Sequence, residues 1–399
     1  MKLCIAGKNN IGADILRYAV SRLGAADIVV LPNDDEPERH TWQRSIRQVA
    51  RELEVREVQQ SDLYEQEDLL FLSLEYNKLV RPASFRTTRL FNIHFSHLPC
   101  YKGMYTSVWP VRNGETYSGV TLHRIDKGID TGYILDQRHF PIKLADTARD
   151  VYFNCLATAY QLVIEHFEDL LCDNVTTWTQ PAVPSSYYSR DSIDWSNIVV
   201  DFRATAFQVH NFIRSFTFFE YQVLTVLGSP VWKSEITSEP SLGKAGTVVR
   251  DEGTSFVVNT VDYNVRLHRM YSAALFEAVA ADAVDQVREL ATRTHDVNLT
   301  NRQGWSALMI ASYQYQPEVV GALLVAGANI NQFNLNGTSV FMYAKDGALK
   351  NGDTALLDTL LHHGADLNWR DFAGKTVLDY CRANGNQEMV AFLETRGAF

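Results

Sequence analysis

Cysteine is scarce in this sequence, and its spacing excludes two of its common structural uses. The five cysteines are Cys4, Cys100, Cys155, Cys172 and Cys381, and no Cys-x-x-Cys pair exists. An odd, scattered set indicates neither a disulfide framework nor a zinc site, so we expect no metal and a reducing, cytoplasmic setting. Most of these thiols are expected to be small buried hydrophobic side chains.

Long apolar runs and an excess of basic residues are also lacking. No apolar run approaches the roughly 18 residues of a membrane span, so we expect no membrane partner. Acidic residues outnumber basic ones by 47 to 37, which gives a formal net charge of −10. Nucleic-acid binding needs basic patches, so we predict no nucleic-acid partner, although a few Lys or Arg could hold a nucleotide. The start, MKLCIAG, turns polar at once and favours a first strand over a signal peptide.

The first half of the chain alternates apolar strands with helical patterns. Continuous apolar runs cover residues 2–7, 27–31 and 68–73, and apolar residues recur at helical spacing in 11–23 and 42–53. This alternation predicts an α/β fold with a Rossmann-like, mostly parallel sheet covered on both faces. The turn GKNNIG (7–12) does not match Gly-x-Gly-x-x-Gly, so it predicts no dinucleotide site.

The 399 residues are enough for two or three domains. One long helix is predicted over 146–172, and the segment PAVPSS that follows it marks a boundary. Alternating residues between 244 and 270 predict a small antiparallel β unit. We therefore expect a catalytic domain over 1–180, a β-rich substrate or dimerisation subdomain over 181–269, and a third region over 270–399.

The third region is an internal repeat. Asn298, Asn331 and Asn368 end similar tripeptides 33 and 37 residues apart, and three turn glycines keep the same intervals. Leu-Leu-x-x-Gly-Ala elements at this period resemble ankyrin repeats, which are all-α. Trp305 follows one turn glycine, with Tyr313 nearby. Trp305 either packs against the catalytic domain or a second subunit, or marks with Tyr313 a site for a second small ligand or a protein partner.

Two stretches in the first half carry a constellation suited to acyl transfer. The run FNIHFSHLP (91–99) predicts a strand, in which Asn92 and His94 share one face. Asp130 lies in the later segment GVTLHRIDKGIDTG (119–132), between two glycines. An amide can hold an oxyanion, an imidazole can take a proton, and a carboxylate can orient the imidazole. Each residue alone is more often structural, as polar residues in turns usually are.

Taken together, the two stretches resemble the signature of formyltransferases that use N10-formyltetrahydrofolate. The resemblance implies that Asn92, His94 and Asp130 are the catalytic triad and that N10-formyltetrahydrofolate is the co-substrate. It also implies that the loop after residue 74 runs along the folate, which makes Tyr76, Lys78, Leu79 and Asp126 candidate folate contacts. For these last four residues, the sequence alone shows only that they lie in loops.

Candidate acceptor contacts lie on either side of the predicted domain boundary. Tyr101 and Lys102 follow the Asn92 strand, where α/β sheets bind ligands. Arg214, Phe216 and Tyr221 belong to an aromatic run that could stack on a base and hold a phosphate, or simply form core. That run is similar to the C-terminal part of sugar N-formyltransferases.

The acceptor implied by these resemblances is a nucleotide-linked amino sugar. HFSHLPCYKG and GVTLH resemble the sugar enzymes more than the tRNA enzymes, and an ankyrin tail on this core resembles enzymes acting on dTDP-3-amino-3,6-dideoxyglucose for O-antigen biosynthesis. The family commonly pairs, so a homodimer is expected. The alternatives are a formyltransferase for a 4-amino sugar, amino acid, ribonucleotide or tRNA, or a non-catalytic ankyrin interaction protein.

Overall fold

A computed structural model describes residues 2–399 and divides the chain into two compact units. The first unit runs to Arg39 and resumes over Arg44–Arg269, and the second holds His40–Gln43 and Met270–Phe399. No helix in the described part of the chain combines the length and apolar character needed to cross a membrane. Within residues 2–399 there is also no cluster of three or more His, Cys, Asp or Glu side chains placed to hold a metal ion.

The first unit contains fourteen strands and six helices among the described residues. In chain order they are β1 (Lys2–Gly7), α1 (Asn9–Leu23), β2 (Ile28–Pro32), α2 (Ile46–Glu52), β3 (Arg56–Glu57), β4 (Leu69–Leu74), β5 (Leu90–His94), β6 (Lys102–Gly103), α3 (Trp109–Arg112), β7 (Tyr117–Arg124), β8 (Ile134–Pro141), α4 (Ala148–Glu165), α5 (Phe167–Leu171), β9 (Tyr187–Tyr188), α6 (Ala206–Ser215), β10 (Leu224–Val226), β11 (Ser229–Pro240), β12 (Val248–Asp251), β13 (Ser255–Val258) and β14 (Tyr263–Arg269).

Seven of these strands form the main sheet, in the order β3-β2-β1-β4-β5-β7-β8. The first five are parallel, whereas β7 and β8 run antiparallel to their neighbours. β2 and β4 are buried along their whole length, as expected for strands covered on both faces. The predicted mostly parallel α/β sheet is confirmed.

Helix ends differ from the sequence prediction where side chains cap the backbone. The helix expected over 42–53 begins only at Ile46, because the Ser45 side chain accepts a hydrogen bond from the Gln48 N–H. The helix expected over 146–172 begins after Thr147, which forms a capping box with Asp150. It is interrupted at His166, so α4 and α5 are separate helices.

A second sheet of five antiparallel strands, β10-β11-β14-β13-β12, forms the β-rich region of the first unit. Its buried face and α6 share a hydrophobic core that includes Ile213, Phe216, Phe256 and Leu267. The short strands β6 and β9 pair with each other, Lys102 with Tyr187 and Gly103 with Tyr188. This pairing fixes the backbone next to the carboxyl end of β5.

The second unit contains eight helices among its described residues, which agrees with the predicted ankyrin repeats. They are α7 (Ser272–Ala280), α8 (Val284–Arg293), α9 (Ala307–Tyr313), α10 (Pro317–Val325), α11 (Val340–Asn351), α12 (Ala355–His362), α13 (Val377–Ala383) and α14 (Gln387–Glu394). One apolar core runs through them. The hydroxyls of Ser306, Ser339 and Thr376, each two residues after a repeat glycine, cap α9, α11 and α13.

The capping hydroxyls provide a test of how the repeats begin. Thr376→Ala removes a capping box that satisfies backbone N–H groups at the start of α13, so it should lower the free energy of unfolding by about 1 kcal/mol. Thr359→Ala, in the middle of α12 and partly exposed, is the control and should change stability by less than about 0.5 kcal/mol. Denaturant unfolding of both variants compares them. Equal effects would contradict the capping role.

Candidate active site

A cleft of about 500 Å³ opens at the carboxyl end of the main sheet in the first unit. Its walls come from the ends of β4 and β5, the loops after β1, β4 and β7, and the segment after β6. The residues that line it are Lys8, Ser73, Glu75–Val80, Asn92–Phe95, Gly103–Thr106, His123, Ile125, Asp126, Gly128–Asp130 and Tyr187. Asn92, His94 and Asp130 are all among them.

The strand β5 places Asn92 and His94 as the two-residue spacing predicts. Asn92 lies opposite Ser73 in the parallel neighbour β4, and both side chains reach the cleft. His94 is the last residue of β5 and is only 7% exposed. The amide and the imidazole therefore lie side by side on one face of the sheet.

Asp130 enters the same space from the loop between β7 and β8. Its Oδ1 lies 3.5 Å from His94 Nδ1 and 3.5 Å from Asn92 Nδ2, and its Oδ2 accepts a hydrogen bond from the Gly103 N–H at 2.9 Å. Burial alone would raise the pKa of Asp130. The charge of His94, together with the hydrogen bond from the Gly103 N–H, outweighs burial and holds that pKa well below its ordinary value. The carboxylate is therefore ionised at neutral pH.

The backbone fixes the tautomer of His94. Its Nε2 lies 2.8 Å from the carbonyl oxygen of Tyr101, which can only accept, so Nε2 carries a proton. In neutral His94 the lone pair is then on Nδ1, next to Asp130. When Nδ1 takes up a proton it becomes a donor to Oδ1, and the ion pair stabilises the imidazolium. Nδ1 is thus the basic atom of this site.

His123 is a further polar residue of the site, which the sequence analysis did not single out. It lies opposite Asn92 in the antiparallel β5–β7 pair, and its Nε2 is 3.1 Å from Asn92 Nδ2. Its Nδ1 donates to the Arg124 carbonyl, so Nε2 accepts from the amide. One amide hydrogen of Asn92 is held by His123, and the other faces Asp130. Its place in the motif GVTLH was a signal in the sequence, but its pairing with Asn92 follows only from the register of β5 and β7.

Two further groups hold the Asp130 loop in place. The Gln180 amide donates to the carbonyl oxygens of Asp130 and Gly132, at 2.8 and 3.0 Å. Gly103 has a φ of +88°, and a Cβ there would lie 2.2 Å from the Tyr188 carbonyl oxygen. Glycine at 103 therefore lets the β6–β9 pair close while its N–H reaches Asp130.

Comparison with known proteins agrees with this geometry. The formyl transferase family model matches residues 4–166, and the model of three ankyrin repeats matches residues 275–347. The chain shares 38% identity and a TM-score of 0.64 with WlaRD, a sugar 3N-formyl transferase solved in the presence of dTDP and 5-N-formyl-THF. That match covers 67% of this chain and 97% of WlaRD. The chain belongs to the sugar N-formyltransferase family.

Two further relatives extend the comparison. An N-formyltransferase from Helicobacter canadensis, in complex with folinic acid and dTDP-3-aminofucose, is 36% identical with a TM-score of 0.63, over 67% of this chain and 99% of its own. A methionyl-tRNA formyltransferase from a Synechococcus strain is 29% identical over 37% of this chain and 46% of its own. The chain spans about half the length of the curated relatives that it matches.

The four candidate folate contacts all line the cleft of this formyltransferase. Leu79 is 59% exposed there, and Lys78 forms an ion pair with Asp34 at 2.7 Å. The Tyr76 hydroxyl donates to Gln60. Asp126 Oδ1 accepts from the Gly128 N–H and the Thr131 hydroxyl, which shapes the loop before Asp130. These residues belong to the loops that follow β4 and β7, which form one arm of the cleft.

The candidate acceptor contacts are spread more widely. Tyr101 contacts His94 through its carbonyl, and the residue also lines a separate cavity of about 350 Å³ with His97 and His139. Lys102 pairs with Tyr187 in the short sheet and is not among the residues that line the cleft. Tyr221 is 47% exposed, against Phe218, and is also outside that lining.

Arg214 and Phe216 are core residues in this structure. The Arg214 guanidinium donates to the Asp146 carbonyl at 2.6 Å and to Asn211 Oδ1 at 2.9 Å, and burial lowers its pKa to about 10. Phe216 is 1% exposed, inside the core shared by α6 and the second sheet. The structure does not bring either side chain to the cleft, because the aromatic run is needed to pack α6.

The two ankyrin candidates lie together. The Trp305 ring is 5.6 Å from the ring of Tyr313 and 4.7 Å from that of Tyr343. Trp305 is half-buried and packs against the core of the repeats. Lys350 Nζ lies 3.6 Å from the centre of the Tyr313 ring. Trp305 therefore packs within the repeats, while part of the aromatic cluster stays accessible.

The depressed pKa of Asp130 predicts a pH-dependent contribution to stability. Its ordinary value is 3.8, and the native value is lower, so ionised Asp130 stabilises the native state fully above about pH 5. As pH falls below 3.8 towards the native pKa, this contribution is lost. The free energy of unfolding of the wild type minus that of Asp130→Asn should therefore shrink between about pH 5 and pH 3.

Denaturant unfolding at several pH values within that window measures the difference. Thr359→Ala, which has no titratable group, provides the control and should differ from the wild type by a constant amount. A difference between the wild type and Asp130→Asn that stays constant, or grows as pH falls, would show that the carboxylate is not stabilised as described.

Proposed function

We propose that this enzyme transfers a formyl group from N10-formyltetrahydrofolate to the amine of a nucleotide-linked amino sugar. The observation that carries the proposal is the convergence of Asn92, His94 and Asp130 in one cleft. Two relatives above 35% identity were solved with formylated folates and dTDP compounds, which supports this substrate pair. The acceptor that we favour is dTDP-3-amino-3,6-dideoxyglucose, because the relatives named above include a sugar 3N-formyl transferase.

The lining of the cleft supports a division between the two substrates. The arm formed by Tyr76–Val80, Ile125, Asp126, Gly128 and Ile129 is partly apolar, which suits a folate ring system. The other arm, around Lys8, Phe95 and Tyr105, is left for the acceptor. The reacting atoms would meet between them, at the Asn92 amide.

The site's geometry indicates how the first step could occur. The acceptor amine attacks the formyl carbon, and a negative charge develops on the formyl oxygen. The Asn92 hydrogen that faces Asp130 at 3.5 Å is in a long, weak contact, so it can turn to donate to this oxygen. The other amide hydrogen remains on His123 and keeps the amide in place.

Proton transfer completes the reaction. His94 Nδ1 takes the proton from the attacking amine, directly or through one water, and Asp130 stabilises the imidazolium that results. The bond from the formyl carbon to N10 then breaks, and N10 receives the proton from His94, with Asp130 close enough to assist. The products are the formamido sugar and tetrahydrofolate.

Homodimer formation, a cytoplasmic location and a role in O-antigen biosynthesis remain predictions.

A formylation assay tests the proposal directly. The protein is incubated with N10-formyltetrahydrofolate and a panel of dTDP- and UDP-linked 3-amino and 4-amino sugars, and mass spectrometry detects the gain of one formyl group. We expect dTDP-3-amino-3,6-dideoxyglucose to react fastest. His94→Ala should lower kcat by at least about 100-fold, because it removes the base.

His97→Ala is the matched control for the assay. His97 is a second histidine in the same motif, but it is exposed and lines the separate cavity instead of the cleft. Its loss should leave kcat within about threefold of the wild type. If the folded wild type formylates no sugar of the panel, this result would contradict the amino-sugar assignment. Near-normal turnover by His94→Ala would contradict the mechanism.

We infer a second, non-catalytic ligand site at the ankyrin repeats. Trp305, Tyr313 and Tyr343 form an aromatic cluster, and Lys350 supplies a positive charge beside it. Aromatic rings stack on nucleotide bases and a lysine attracts phosphate, so a second nucleotide sugar fits this chemistry. A protein partner is the other candidate for this surface, since ankyrin repeats commonly bind proteins.

Calorimetric titration of a dTDP-linked amino sugar distinguishes these candidates. The wild type should bind two molecules per chain, and Trp305→Ala should bind one, because the active site is left intact. Trp178→Ala provides a control, since this exposed tryptophan lies in the first unit. An unchanged stoichiometry in Trp305→Ala would remove the small-ligand interpretation and favour a protein partner.

A further inference from the structure

A carboxyl group in the cleft, that of Glu75, has no part in the reaction described above. Glu75 follows β4 directly, one residue beyond the pair Leu74–Ile93, so its backbone lies beside that of His94. It has a φ of +59°, a left-handed conformation that is uncommon outside glycine. This conformation turns its side chain out of the strand pattern, and the residue lines the cleft.

The hydrogen bonds of Glu75 leave one carboxyl oxygen open. The Tyr152 hydroxyl donates to Oε2 at 3.0 Å, and Asn9 Nδ2 donates to the same oxygen at 3.3 Å. Within residues 2–399, no hydrogen bond reaches Oε1. Nearby Glu36 differs, because its two oxygens accept from the Ile46 and Asn9 N–H groups, and it does not line the cleft. Glu36 is thus a structural carboxyl, whereas Glu75 has unused capacity to accept.

Glu75 lies near residues of the arm assigned to the acceptor. The charge of Lys8 acts on its carboxyl, and the Tyr152 hydroxyl donates to it. The Phe95 ring lies 6.0 Å from that of Tyr152, which also holds Glu75. Glu75 therefore lies near Lys8 and, through Tyr152, near Phe95, and Glu75, Lys8 and Phe95 all line the cleft.

We propose that Glu75 Oε1 accepts a hydrogen bond from a hydroxyl next to the amine of the acceptor sugar, and so selects for that hydroxyl. This inference rests on the function proposed above. Tyr152 and Asn9 fix the carboxyl before the sugar binds, so little ordering is required on binding. In a 3-amino sugar, the candidates are the hydroxyls at C2 and C4, which flank the reacting amine.

A hydroxyl fits this position better than the amine itself. The amine must reach the formyl carbon beside Asn92 and His94, the residues that act on the reacting atoms in the proposed mechanism. A carboxylate in contact with the amine would also stabilise its protonated form, which is not nucleophilic. Desolvation raises the pKa of Glu75 to about 7, against the attraction of Lys8. Near neutral pH the group accepts hydrogen bonds in either protonation state.

The test compares protein substitutions with deletions of the same hydroxyl from the substrate. Wild type, Glu75→Ala and Glu75→Gln are assayed with dTDP-3-amino-3,6-dideoxyglucose and with its counterparts lacking the C2 or the C4 hydroxyl. With the complete sugar, Glu75→Ala should lower kcat/KM by about 10- to 100-fold, as expected for a hydrogen bond to a charged group. With one of the deoxy sugars, that effect should fall to within about threefold.

A purely structural role of Glu75 cannot explain a decrease in kcat/KM that disappears with one deoxy sugar. If Glu75 only braces Asn9 and Tyr152, its substitution will lower kcat/KM by the same factor for all three sugars, and this result would overturn the proposal. Glu75→Gln keeps the shape of the side chain, so the same comparison can be made if Glu75→Ala does not fold. The decrease in kcat/KM caused by Glu75→Gln should also vanish with the same deoxy sugar.

Glu36→Gln is the matched control. It removes a carboxyl from the same polar cluster, but this carboxyl does not line the cleft, so any change in kcat/KM should be equal for the three sugars. A selective change in Glu36→Gln would contradict the assignment to Glu75. If the folded wild type formylates none of the sugars, the proposed function itself fails, and the inference falls with it.

Discussion

The antiparallel pairing of β5 with β7 is the constraint on which the active site depends. It places His123 opposite Asn92 and His94 opposite Thr121, so the two stretches of the motif become neighbours although about thirty residues separate them. The loop that leaves β7 then returns Asp130 to within 3.5 Å of both Asn92 and His94. A register shift of one residue would point these side chains to the opposite face and remove the site.

The charge of Asp130 is stabilised at several points, and each has a structural origin. Burial opposes the charge, whereas the Gly103 N–H and His94 favour it. The Gly103 N–H is available because β6 pairs with β9, and the loop conformation is fixed by Gln180 from beyond α5. The chemistry at residues 92–130 therefore depends on segments up to residue 188 that carry no reacting group.

The sequence predicted those parts of the structure that depend on local patterns. Continuous apolar strands indicated the parallel sheet, the 33-residue period indicated the repeats, and the two-residue spacing indicated that Asn92 and His94 share a face. Contacts that depend on pairing between distant segments were not predicted. Examples are His123, whose role requires the β5–β7 register, and Gln180, which reaches Asp130 across 50 residues of sequence.

Composition alone also could not separate core aromatics and arginines from binding ones. Arg214 and Phe216 have residue types suited to a nucleotide, yet a helix that must pack against a sheet uses the same types. What distinguishes Glu75 from Glu36 is likewise invisible in the sequence. Burial raises the pKa of both to about 7, so the pKa does not separate them either. The difference is whether backbone N–H groups occupy both oxygens. A carboxyl with one oxygen left open to a cleft can bind a ligand, and one with both occupied can only support the fold.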